Sequence, residues 1–146
     1  MDKSIEGNRG KPFRVVVEEG KVREFAQAVK SSNPAYVAEG PQATSPATFL
    51  ASSAFWQGPE NSPWGGAKLN WQRILHGEQE FVFVGPPPAA GTELVAESRI
   101  DRVFEKEGKR GGTMTFVEMV TEYRDGSGAL VAEARSTVIE TGQAPQ

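Results

Sequence analysis

The strongest constraint on the fold lies in the second half of the chain. Four segments, at roughly 72–84, 92–106, 113–124 and 129–140, read as strands separated by GPPPAAG, EGKRGG and RDGSG. Gly and Pro break the chain at the first two links, and Asp125-Gly126 in the third is a strong hairpin signal. In the 92–106 segment Leu94, Ala96, Ser98, Ile100 and Phe104 fall on one face, with Glu93, Glu97, Arg99, Asp101 and Glu105 on the other. One face is dry and one is wet, and the four segments together predict an antiparallel meander.

The first half has to cover that dry face. Phe13, Val15 and Val17 suggest a short strand. Val22, Phe25, Ala26 and Val29 follow the i, i+3, i+4, i+7 spacing of an amphipathic helix, stopped at Ser31-Ser32-Asn33-Pro34. Thr44-Ser45-Pro46 offers the start of a second helix, which Gly58-Pro59 ends. Phe49, Leu50, Ser53, Ala54, Phe55 and Trp56 surround that helix almost completely, so it must be wrapped by other structure. The expected architecture is therefore α+β, an antiparallel sheet curled around a central apolar helix. With 146 residues one core is the default, and residues 12–140 form the expected single domain, with tails 1–11 and 141–146 that fray.

Composition removes several functional classes. There is no cysteine, so disulfides, thiolate nucleophiles and cysteine zinc sites are excluded, in keeping with a cytoplasmic address. His76 is the one histidine, so neither a multi-histidine metal site nor more than one histidine-based triad can be built. Sixteen Lys+Arg against 19 Asp+Glu give a net charge of −3 without a basic block, which argues against a nucleic-acid partner. No run of 18 apolar residues and no apolar leader are present, so neither a membrane span nor a secretion signal is expected.

Leu75-His76-Gly77-Glu78-Gln79-Glu80-Phe81, followed by Gly85-Pro86-Pro87 and Gly91-Thr92-Glu93-Leu94, resembles the N-terminal dehydratase family of MaoC-like proteins, whose fold is the hot-dog fold. The resemblance covers about residues 12–140. It implies hydration of an enoyl thioester, or dehydration of a 3-hydroxyacyl thioester, carried on coenzyme A or acyl carrier protein, with no cofactor. Catalytic members resemble a pattern of Asp, any residue, Asn-Pro, any residue, His, in which Asp and His act as base and acid. Here the matching loop reads Ser31-Ser32-Asn33-Pro34-Ala35-Tyr36: Asn33 and Pro34 are kept, while Ser31 and Tyr36 replace the Asp and the His. Neither replacement titrates near neutral pH. The resemblance thus implies no catalytic residue in this chain. It implies instead a substrate-binding subunit that pairs with a catalytic MaoC-like partner, as a dimer or heterotetramer formed by edge-to-edge sheets.

The substrate-binding residues expected are His76, Gly77, Asn33, Tyr36, Lys109 and Arg110. Each also has a structural reading. His76 can instead fix the start of a strand, and 31–36 can be an ordinary helix stop. Lys109-Arg110 suits the phosphates of coenzyme A, but a solvated hairpin tip has the same composition. Trp56, Trp64 and Trp71 suit an acyl cavity, a subunit interface or the core. Two other functions remain open: a non-enzymatic hot-dog module that binds a thioester or a protein, and a thioesterase with Glu78 or Glu80 as its base.

Overall fold

The structure is a computed structural model that describes residues 3–108 and 112–142. Lys109 and Arg110 lie outside the described residues. The strands are β1 (Phe13–Val16), β2 (Ile74–Phe83), β3 (Glu93–Glu107), β4 (Thr113–Arg124) and β5 (Leu130–Glu140), and the helix α1 is Glu19–Ala28. They form one antiparallel sheet in the order β1-β3-β4-β5-β2, the hot-dog arrangement within an α+β fold.

The four long strands lie where alternation put them, but only β3, β4 and β5 form the meander. β2 crosses over to pair with β5, so it stands at the edge of the sheet. Alternation also breaks within β3. A bulge between Ile100 and Arg102 inserts one residue, after which Val103 faces the core and Phe104 turns to the outer face, where it stacks on Phe116 with ring centroids 5.1 Å apart. The expectation that Phe104 shares the dry face of Ile100 is corrected by that single extra residue. The Glu6 carboxylate accepts the backbone N–H of Val103 at 2.7 Å beside the bulge.

This contact belongs to a second correction. Residues 3–11 do not fray: Ile5 and Gly10 are buried, and Gly7 and Gly10 donate to the carbonyls of Ile100 and Ser98 at 2.9 Å each. Asn61, itself buried, donates to the carbonyls of Lys11 and Pro12 and ties this segment to the loop before β2. A Cβ at Gly10 would sit 1.8 Å from the Asn61 carbonyl, so only glycine fits there. Thr141 is likewise held, its N–H donating to the Arg73 carbonyl at 2.8 Å.

α1 presents Val22 and Ala26 to the core as its spacing predicts, with Phe25 packed edge-on against Phe49. The second helical segment differs from the expected wrapped helix. It is a 3-10 helix over Phe49–Trp56. With three residues per turn, Leu50, Ser53 and Trp56 share the line that faces the sheet, while Phe55 is thrown outward and is 84% exposed. The local cause is chemical: Ser52 donates its hydroxyl to the Phe49 carbonyl at 2.7 Å, the kind of local bond that competes with α-helical turns. The main core gathers Phe13, Val15, Val22, Phe49, Leu50, Leu94 and Tyr123, between this segment, α1 and the inner face of the sheet.

Candidate functional site

The concave face of the sheet and the 3-10 helix enclose a groove of about 130 Å³. Strand register explains its floor. Ser98, Thr121, Ala134 and Phe81 form one cross-strand row on β3, β4, β5 and β2, and Met119, Ser136 and Gln79 belong to the next. Leu50, Ser53, Ala54 and Gln57 of the helical segment form the facing wall, and Phe13 and Tyr123 complete the inner end.

Its polar groups are all neutral. Tyr123 Oη donates to the Leu50 carbonyl at 3.3 Å, so in the 2.7 Å contact with Ser53 it is the serine hydroxyl that donates to the tyrosine. Burial pushes the Tyr123 phenol up to about 12, so it stays protonated. Ser98 and Thr121 share a 2.8 Å hydroxyl contact. Gln79 donates to the Arg135 carbonyl at 3.1 Å, which leaves its own carbonyl oxygen available as an acceptor. Among the described residues the groove is lined by no carboxylate, no imidazole and no cation.

The charges lie on the opposite face of the same strands. There Arg135 pairs with Glu133 at 2.6 Å and Glu80 at 3.4 Å, while Arg99 pairs with Glu122 at 2.7 Å and Asp101 at 3.0 Å. A second hollow, of about 290 Å³, opens between these groups and includes Glu78, Glu80 and Glu118. Glu78 and Glu80 therefore face away from the groove, which removes the geometric basis for using either as a thioesterase base there.

The residues expected to bind substrate separate into three groups. His76 is the cross-strand neighbour of Val138, one row beyond Gln79 and Ser136 on the groove side of β2. It is exposed, and its side chain has no hydrogen-bond partner among the described residues. Gly77 is the bulge residue that preserves this orientation, and a Cβ on it would come within 2.7 Å of the Ile139 side chain. Asn33 and Tyr36 do not line the groove. The Asn33 side chain accepts the Ala35 N–H at 3.0 Å and caps the short turn Pro34–Tyr36, and Tyr36 packs against the main core. Lys109 and Arg110 lie outside the described residues. Of the tryptophans, Trp56 and Trp64 pack against the two core clusters and Trp71 is 76% exposed; none lines the groove. What sequence reasoning missed is the hydroxyl row itself. Its signal was present as Ser98 and Thr121, with Ser136 in the next row, at inward positions of the strands.

A family model described as FAS1-like, dehydratase domain region, matches residues 4–134. The chain belongs to the FAS1-like dehydratase family. A UPF0336 protein of Streptomyces griseus is 31% identical over 147 residues, covering 95% of this chain and 94% of that protein. A second, from Parafrankia, is also 31% identical over 143 residues and covers 92% and 88%. Among solved structures, a chain of the C-terminally truncated HadBC (3R-hydroxyacyl-ACP dehydratase) complex from Mycobacterium tuberculosis matches with a TM-score of 0.76 and 28% identity. That match covers 95% of this chain and 98% of the other. A MaoC-like dehydratase matches with a TM-score of 0.78 and 20% identity, over 95% of this chain and 43% of its own length, and shows the shared hot-dog fold. No helix among the described residues is long and apolar enough to cross a membrane.

Proposed function

We propose that this FAS1-like dehydratase family member is the non-catalytic, substrate-binding half of an enoyl-thioester hydratase, and that a MaoC-like partner supplies the Asp and His. The observation that carries the reading is a groove lined by no carboxylate, imidazole or cation among the described residues. Adding or removing water at an enoyl thioester needs a proton to be taken and given. Ser31 and Tyr36, at the positions where active relatives carry base and acid, stand apart from the groove. The thioester is carried on coenzyme A or acyl carrier protein, and the groove holds its acyl end.

The place for a partner is consistent with this. β2 is an edge strand with every residue from Leu75 to Glu80 exposed, and an unpaired edge recruits another strand. Leu75 at 44%, Trp71 at 76% and Phe55 at 84% add exposed apolar surface. His76, on the groove side of that edge, and the bulge residue Gly77 beside it are the substrate contacts we assign to this chain. Asn33 and Tyr36 support the loop. The HadBC relative is itself a two-component complex described as a 3R-hydroxyacyl-ACP dehydratase, which favours pairing of this kind.

The test is to purify the chain alone and with a MaoC-like subunit that retains Asp and His, then assay hydration of crotonyl-CoA. Stable co-assembly with turnover only in the mixture is expected. Robust turnover by the chain alone, or no assembly with any such subunit, would contradict the proposal.

A further inference from the structure

We propose that Tyr123, held by Ser53, closes the groove and restricts its occupant to a short-chain acyl thioester. The inference rests on the thioester-binding reading above and adds to it the size of the substrate. The groove has an open end and a shut one. At the open end Gln79, Ala51 and Ala54 are exposed, and at the shut end Leu50 and Tyr123 are each 1% exposed. Behind Tyr123 lies packed core, with Val15, Val22, Phe49 and Leu94 all at 1% exposure or less, so no channel continues past the ring.

The groove is small, about 130 Å³, and it ends at the ring, so an acyl chain that reaches Tyr123 has no further space to enter. A longer chain needs the ring to swing aside. That movement breaks both the 2.7 Å contact with Ser53 and the 3.3 Å bond to the Leu50 carbonyl, the bonds that hold the buried phenol in place. The floor beside the ring suits a short oxygen-bearing chain better than a long alkyl one. Of the two hydroxyls in the Ser98–Thr121 contact, one donates to the other, and the second keeps a proton to give.

The experiment is calorimetric titration of the full chain with butanoyl-CoA and dodecanoyl-CoA, with a thermal melt on each mixture. Butanoyl-CoA is expected to bind about tenfold or more tightly than dodecanoyl-CoA, the scale on which a filled apolar pocket discriminates by size. In Tyr123→Leu the preference should fall to about threefold or less, through tighter binding of dodecanoyl-CoA. In Ala134→Leu, which fills the middle of the groove without touching Tyr123, butanoyl-CoA binding should be lost while the melting temperature holds. Equal binding of the two thioesters to the wild type, or an unchanged preference in folded Tyr123→Leu, overturns the length limit alone. Butanoyl-CoA binding that survives Ala134→Leu places the ligand elsewhere and overturns it as well. No binding of either thioester overturns the thioester reading itself, and the length limit with it.

Discussion

The two faces of the sheet are built from the same strands, residue by residue in alternation, yet they hold opposite chemistry. On the groove side the cross-strand rows bring together Ser98, Thr121, Ser136 and Gln79, all neutral. On the outer side the interleaved positions bring together Arg99, Glu122, Arg135, Glu133 and Glu80, all charged and mutually paired. Outer ion pairs in contact with water contribute little to stability and are screened by salt. The Ser98 and Thr121 hydroxyls satisfy one another, and none of the inner hydroxyls changes charge near neutral pH. The contrast teaches where this chain can and cannot exchange protons. Every carboxylate of β2 to β5 among these groups points away from the groove, and the residues that line it carry no group that titrates near neutral pH.

The contrast can be broken by substitution, and the largest effect is expected at its inner end. Leu50→Ala, at the shut end of the groove, should cost about 2–5 kcal/mol in urea unfolding, whereas Phe55→Ala on the outward side of the same 3-10 helix should stay within about 0.5 kcal/mol. Equal costs would mean that the segment packs on both sides, as the wrapped helix expected from sequence would. Next in size, Phe55→Asp should weaken assembly with a MaoC-like subunit by about tenfold or more in sedimentation analysis while the melting temperature of the isolated chain holds. Unimpaired assembly would remove Phe55 from the interface. Tyr123→Phe should cost about 1 kcal/mol, because the Ser53 hydroxyl loses its buried acceptor, while Arg135→Gln on the outer face should leave the melting temperature within about 2 °C. A larger effect at Arg135 than at Tyr123 would invert the comparison.

The smallest effect is in pH dependence. The guanidiniums of Arg124 and then Arg99 hold the Glu122 carboxyl below its ordinary range, and hydrogen bonds from Ser127 and Ala129 do the same for Asp125. A folded-state pKa below the unfolded one means that this contribution is complete above the ordinary carboxylate range and is lost as pH falls through the depressed values. Glu122→Gln should therefore lower the neutral plateau slightly and leave the acid end of the melting-temperature profile nearly unchanged, which flattens the acid limb. An equal loss at acid and neutral pH would contradict the assignment.

Much of the fold was legible in sequence, because strand alternation has a short period and turn residues are specific. β3, β4 and β5 start and stop within about two residues of where Gly, Pro and Asp125-Gly126 place them. What was not legible depended on single residues or on distant pairing. One inserted residue in β3 redirected Phe104, and nothing local in β2 says that its neighbour is β5. The polar segment 3–11 looked free because its partners are backbone carbonyls of β3 and the loop at Glu60–Asn61, which carry no local sequence signature. The site was legible in part. The resemblance sets Ser31 and Tyr36 against the expected Asp and His, but the groove is formed by rows that run across four strands, and periodicity along one strand cannot reveal them.

The central claim is that the proton-transferring groups of the assembled enzyme lie outside this chain. Its most direct test compares two variants of the same complex with a catalytic MaoC-like partner, assayed for crotonyl-CoA hydration and checked for assembly. Replacing Ser31 and Tyr36 together by Ala and Phe should leave the rate within a few fold. Replacing the partner's motif Asp and His by Ala should lower it by about 10²-fold or more. The reverse pattern, with activity lost through Ser31 and Tyr36 in an intact complex and retained without the partner's Asp and His, would contradict the account.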